Sequence, residues 1–404
     1  MIRKASLAAL IVGLFLFLLN PAIVRAQSGP TVLTSSAEAE FPLKLTFSLS
    51  AKSDVVINDI RLHYTVEQES YARVTSETHI QFMPATKVNV QWSWDMRKIG
   101  GLPPGSVVDY WWTVSDISGS KTESVLVSLR FDDERYPWRS VAESGVTVYW
   151  YQGDAVFARE IMLAAQQALA RLAVDTGAYL KNPVEIYVYA HSRDLQGALI
   201  FPQEWAGGVA FYRYNAIAIG IAPAELAWGK RAVAHELTHQ VVHQMTFNPY
   251  GGLPSWLDEG LAMYVEGSLD SGFAAFLEKA IADDTLISVR SLSSPFSAYA
   301  GQSYLSYAES RSLVEFLITT YGRSKMLELL DAFHQGSSYD GALVKVYGFD
   351  RDGLNTLWRD DVIKGEPRPA AGVSPLLPVL AALVTVVLLV MGLAAERWDW
   401  MRRW

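Results

Sequence analysis

The segment His235-Glu236-Leu237-Thr238-His239 carries two imidazoles four residues apart, with a carboxylate between them. On a helix, residues at that spacing share a face, so both rings can point at one metal ion about 2.0–2.1 Å away. Glu236 sits beside His235 around the helix, where it reaches a water on that ion rather than the ion itself. Apolar Ala232-Val233-Ala234 and Val241-Val242 flank the segment, as they would in a buried helix. A hydrolytic centre of this type needs a third protein ligand and an open fourth position. Glu259, twenty residues after His239, is the expected third ligand, on a second helix behind the Pro- and Gly-rich turn from Pro249 to Pro254. Two antiparallel helices joined by such a turn would return Glu259 to the histidine pair. Asp258 competes for that place, but Ser255 and Asp258 have the spacing of a capping box, which would occupy the aspartate. His243, one turn beyond His239, is the other rival and is expected to be a core residue or a brace for a ligand.

The elements around this centre follow from composition and period. The chain has 404 residues, a formal net charge of -8 and no cysteine. The absence of cysteine excludes thiolate metal sites, thiol nucleophiles and disulfides. No basic stripe is present, so nucleic acid is not expected as a partner. The length implies two or three domains. From about Thr31 to Phe131 the pattern has period two, as in Leu43, Leu45, Phe47 and Leu49, in Val88, Val90, Trp92 and Trp94, and in Val125, Val127, Leu129 and Phe131. Half-buried strands with turns between them predict a β-sandwich over 27–135. The run from Leu102 to Tyr110 resembles a turn and strand of fibronectin type III domains, with Tyr110 at the place of the corner tyrosine.

Beyond Asp132-Asp133-Glu134-Arg135 the texture changes. A strand from Val146 to Tyr151 leads to Asp154 as a cap and a long helix to about Tyr179. A strand from Val184 to Tyr189, a short helix near Asp194 and a strand-like stretch from Val209 to Ile221 come next. After Pro223 the chain reads as helical to Lys364. Sheet followed by helices makes the fold class α+β, with the second domain over 145–364. Arg3 and Lys4 precede an apolar run from Ala5 to Leu19, and Val24-Arg25-Ala26 suits cleavage, so 1–26 reads as a signal peptide. Residues 365–374 read as a linker and 375–395 as a transmembrane helix. The tail 396–404, with its arginines and tryptophans, reads as the cytoplasmic end. The expected localisation is therefore a single-pass membrane protein with its folded part outside the cytoplasm.

His235-Glu236-x-x-His239 followed by Trp256-Leu257-Asp258-Glu259-Gly260-Leu261-Ala262 resembles the gluzincin clan of metallopeptidases and the bacterial peptidase MA-like domains. Tyr264 and Glu266 extend the likeness to the aminopeptidase pattern W-L-x-E-G-x-A-x-Y-x-E. The resemblance implies Zn2+ on His235, His239 and Glu259, with Glu236 moving a proton from water to the leaving amine and a peptide or protein as substrate. It also implies a tyrosine on a downstream helix as oxyanion donor, a role that Tyr307 matches best, with Tyr304 and Tyr299 as neighbours. The family's aminopeptidases carry an acid in a Gly-x-Met-Glu-Asn segment that binds the free amine. The corresponding Gly207-Gly208-Val209-Ala210-Phe211-Tyr212-Arg213-Tyr214 has none, which favours an endopeptidase. Val209 to Ile221 then reads as an edge strand for an extended substrate. The reading from a different class is an inactive zincin-fold scaffold whose β-domain does the work.

Overall fold

The computed structural model describes residues 29–201, 207–297 and 299–364. Among these, no helix is long and apolar enough to cross a membrane. The expected leader (1–26), linker (365–374), spanning segment (375–395) and tail (396–404) lie outside the described residues. The chain forms two compact units. Of the described residues, one unit contains 29–137 and 193–201; the other contains 138–192, 207–297 and 299–364.

The first unit holds β1 (Thr31–Glu40), β2 (Lys44–Val66), β3 (Ser76–His79), β4 (Ala85–Asp95), β5 (Ser106–Asp116), β6 (Lys121–Glu123) and β7 (Val127–Phe131). Hydrogen bonds join all seven into one sheet because the 23-residue β2 serves both halves. Its first half pairs with β1 and β4, and its second half with β3 and β5. The pairing register shifts between Lys52 and Ile57. The ring of Phe47 in the first half lies 6.4 Å from Tyr64 in the second and 5.0 Å from Tyr110 on β5. β2 therefore doubles back and folds the sheet onto itself. Leu45, Phe47, Leu49, Ile60, Leu62, Val108, Tyr110 and Trp112 fill the space between. The expected sandwich differs in this respect: one strand runs through both layers. Leu43 and Val125, expected to point inward, lie outside the strands and are exposed.

The second unit begins with β8 (Arg139–Glu143) and β9 (Val146–Trp150), continues through α1 (Ala155–Asp175) to β10 (Val184–Tyr189), and then reaches β11 (Gly208–Phe211) and β12 (Ala216–Gly220). The strand order is β11-β12-β10-β9-β8, with β9, β10 and β12 parallel and both edge strands antiparallel to their neighbours. Asp154 caps α1 by accepting from the backbone N–H of Val156 and Phe157. α1 ends at Asp175 rather than near Tyr179, because the Thr176 hydroxyl takes the Leu172 carbonyl and accepts from Ala178 N–H. The stretch from Val209 to Ile221 is two strands and not one. Between them the chain turns through Tyr212–Tyr214, with Asn215 left-handed at φ 52, so only β11 lies at the edge.

The helices are α2 (Leu226–Thr246), α3 (Ser255–Glu266), α4 (Ser271–Ala282), α5 (Ala300–Tyr321), α6 (Arg323–His334), α7 (Tyr339–Tyr347) and α8 (Arg351–Lys364). Val233, Leu237 and Val241 recur at helical spacing on α2 and join the core with Ile186 and Val188 of β10, Ile217 and Ile219 of β12, and Ile161 and Leu172 of α1. α3 packs between α2 and α5. Gly260 permits the close approach to α5: a Cβ there would stand 2.7 Å from Val314 Cγ2 and 2.8 Å from the Ser310 carbonyl carbon.

Glu309 on α5 is fully buried and accepts the Ile287 N–H with both carboxylate oxygens at 3.1 Å. Burial raises its carboxyl to about 8, against the opposing pull of that N–H and of the Arg359 guanidinium. The folded protein therefore keeps a proton that the unfolded chain releases. This contribution to stability is complete below the ordinary carboxyl range and is lost as pH rises toward about 8. Between about pH 6 and about pH 8 the wild type should lose on the order of 2 kcal/mol that Glu309→Gln does not. Urea unfolding at both pH values measures this; equal losses in the two proteins would exclude an uncharged Glu309.

Candidate metal centre

Successive turns of α2 present His235, His239 and His243 toward α3, with Glu236 beside them under β11. The Nε2 atoms of His235 and His239 lie 3.2 Å apart. Glu259 Oε2 lies 3.4 Å from the first and 3.5 Å from the second. Three donor atoms thus converge on one point, and Glu259 Oε2 is buried without a hydrogen bond. A buried carboxylate oxygen left this way costs about 1–3 kcal/mol or more. A divalent cation answers that deficit, and two imidazoles with one carboxylate suit zinc.

Each imidazole is oriented by its other nitrogen. His235 Nδ1 meets Glu266 Oε1 at 2.7 Å, and Glu266 also takes Arg231 at 3.1 Å. His239 Nδ1 meets Asp258 Oδ1 at 2.8 Å. An ionised carboxylate only accepts, so these contacts place the ring protons on Nδ1 and leave both Nε2 lone pairs for the metal. Asp258 is therefore not a capping residue. The N-cap of α3 is Pro254, with no side-chain cap, and Asp258 faces the histidines instead. His243 Nε2 donates to Asp258 Oδ2 at 2.9 Å and stays outside the converging triad.

Burial opposes charge on both histidines, but neighbouring carboxylates outweigh it. Glu259 and Glu266 raise His235 to about 9, and Asp258 and Glu259 lift His239 well above its usual range. The reciprocal effect of His239 and His235 holds Glu259 down at about 2 despite its burial. Glu236 goes the other way: burial raises its carboxyl above the usual range, helped by Glu259 and Asp258 and opposed by the histidines. Glu236 lies under the edge strand, where a Cβ on Gly208 would stand 2.9 Å from Glu236 Oε1.

Tyr307 on α5 completes the cluster, its ring 6.5 Å from that of His235 and packed against Phe296 and Phe273. The other tyrosines are elsewhere. Tyr299 is 80% exposed, Tyr304 is 45% exposed against Phe273 and Phe276, and Tyr264 is buried beneath Arg171.

Residues 164–364 match the Peptidase MA superfamily. This region is a gluzincin-type zincin domain. Among solved structures, an M1 zinc metallopeptidase from Deinococcus radiodurans is similar at 12% identity and TM-score 0.35, over 86% of this chain and 97% of its own. Legionella pneumophila aminopeptidase A in complex with aspartic acid is similar at 9% identity and TM-score 0.36, over 82% of this chain and 50% of its own. A carbohydrate-binding module of family 56, a β-1,3-glucan-binding domain, is similar at 16% identity and TM-score 0.16, over 24% of this chain and 96% of its own. No curated protein sequence matches.

Within the zincin domain, the role of Glu266 was visible only as the last letter of a pattern, and that of Asp258 was misread. Both depend on which partner a helix face meets. The full-length chain should bind about one zinc, and His239→Ala should abolish binding. Because both histidines bind protons more tightly than usual, zinc must displace them, and affinity should rise with pH toward about 9. Metal-competition titrations would show this; an affinity flat from about pH 6 to about pH 8 would contradict the assigned donors.

Proposed function

We propose that this chain is a zinc-dependent endopeptidase held at the outer face of a membrane by the apolar segment 375–395. One observation carries the reading: the Nε2 atoms of His235 and His239 converge with an otherwise unsatisfied Glu259 oxygen, and the half-buried Glu236 is next to His235 on the same helix. Zinc, when bound to His235, His239 and Glu259, supplies a Lewis acid that polarises the scissile carbonyl and acidifies water. Glu236 takes the proton of the attacking water and delivers it to the leaving amine. Its raised pKa suits both halves of that task, since a base that must later act as an acid works best near the operating pH. Tyr307 donates to the oxygen that becomes negative as the carbonyl is attacked.

β11 supports the substrate geometry. It is an edge strand whose backbone passes over Glu236, and an extended peptide pairing along it would run past the base. From Gly207 to Tyr214 the chain has no carboxylate to hold a free amine, which favours cutting within chains. The basic and apolar leader and the uncharged run of 375–395 support placement outside the cytoplasm.

Peptides with acetylated N-termini provide the test. The zinc-loaded chain should cut them internally, with products identified by mass spectrometry. Release of single residues from unblocked peptides, with blocked ones untouched, would reverse the endopeptidase assignment.

A further inference from the structure

His243 is not one of the three converging donors, yet it touches two parts of the site at once. Its Nε2–H donates to Asp258 Oδ2 at 2.9 Å, and the other oxygen of the same carboxylate accepts His239 Nδ1–H at 2.8 Å. The rings of His239 and His243 are 6.4 Å apart, so the link between them runs through Asp258. On its face, His243 stacks on Tyr212 with centroids 4.2 Å apart and planes 12° from parallel. Tyr212 follows directly on β11, the strand whose Gly208 lies against Glu236. Tyr212 is 41% exposed, and its ring stacks on His243.

We propose that His243 is a positioning residue that couples the metal ligand His239 to the edge strand, through its N–H on one side and its ring face on the other. The N–H fixes the rotation of the Asp258 carboxylate. That in turn fixes the ring plane of His239, and partners of this kind commonly change metal affinity about 10–100-fold when lost. The ring face fixes the end of β11 and with it the backbone over Glu236. The strand half rests on the peptidase reading given above; the metal half does not.

Two substitutions separate the halves. His243→Gln keeps an N–H donor of similar reach and loses the ring. His243→Phe keeps the ring and loses the donor. In the full-length chain, zinc affinity by metal competition should fall roughly 10-fold for His243→Phe and stay within about 2-fold of wild type for His243→Gln. Amide hydrogen exchange at Val209–Phe211 should do the reverse, faster in His243→Gln and little changed in His243→Phe. In the zinc-saturated protein, KM for an extended peptide should follow the exchange result while kcat does not. Tyr212→Leu, a change at a partly exposed ring, should reproduce the His243→Gln exchange result with normal zinc affinity. Equal zinc losses in both His243 variants, or equal exchange rates in both, would overturn the coupling and leave His243 as packing. If no form cleaves any peptide, the peptidase reading fails by itself. The zinc and exchange measurements still decide whether His243 couples the two parts.

Discussion

Glu236→Gln should leave zinc binding at the wild-type level and lower kcat for peptide hydrolysis by about 10²–10⁴-fold. The amide has the shape of the carboxylate, and the three converging donors are His235, His239 and Glu259, none of which is altered. The variant lacks only a site that can accept and return a proton. Glu236 is half-buried beneath β11, which restricts the approach of bulk water to its carboxylate. Zinc content and single-turnover rates must be measured on the same preparation. Equal rates in the two proteins would remove Glu236 from the chemistry. Full zinc with no hydrolysis in either, across broad peptide libraries, would favour the scaffold reading, in which the zincin domain persists for its shape.

Tyr307→Phe should lower kcat by about 10²–10³-fold, or roughly 2.7–4 kcal/mol of transition-state stabilisation, with KM nearly unchanged. Burial, reinforced by Glu259 and Glu236, raises the pKa of its hydroxyl above the usual range, so it keeps its proton at neutral pH. The ring is fixed by Phe296 and Phe273, and Phe at this position would fill the same space. Tyr304→Phe is the control. Its ring leans outward on Phe276 and is 45% exposed, so the rate should hardly move. A loss at Tyr304 with none at Tyr307 would transfer the role.

The histidine pair and Glu259 were legible because the chemistry fixes their types and a helix fixes their spacing. The helical half was legible because the apolar residues of α2 recur every three or four positions against the sheet. What escaped depended on contacts between distant segments. Nothing near Asp258 in the sequence says that it meets two histidines of α2 instead of capping its own helix. The split of Val209–Ile221 hinges on Asn215 adopting a left-handed conformation, a local choice that an apolar run conceals. β8 was missed because Arg139–Glu143 has only Val141 to mark a buried face. The doubling of β2 was hidden because the register shift occurs within one continuous run of strand.

The close approach at Gly260 also acts as a fulcrum. With a backbone in contact at Ser310, α5 cannot slide along α3 without collision, so any relative motion of the two helices would be a tilt about that point. Tyr307 lies three residues from the pivot, a lever of about 4.5 Å at about 1.5 Å per residue. A tilt of about 10° would displace it by less than about 1 Å, while the start of the helix near Gly301 would sweep about three times as far. Such a tilt would move the aromatic start of α5, where Tyr304 meets Phe276, more than Tyr307 beside His235. Distance from one glycine thus sets how far each aromatic ring on the helix would travel.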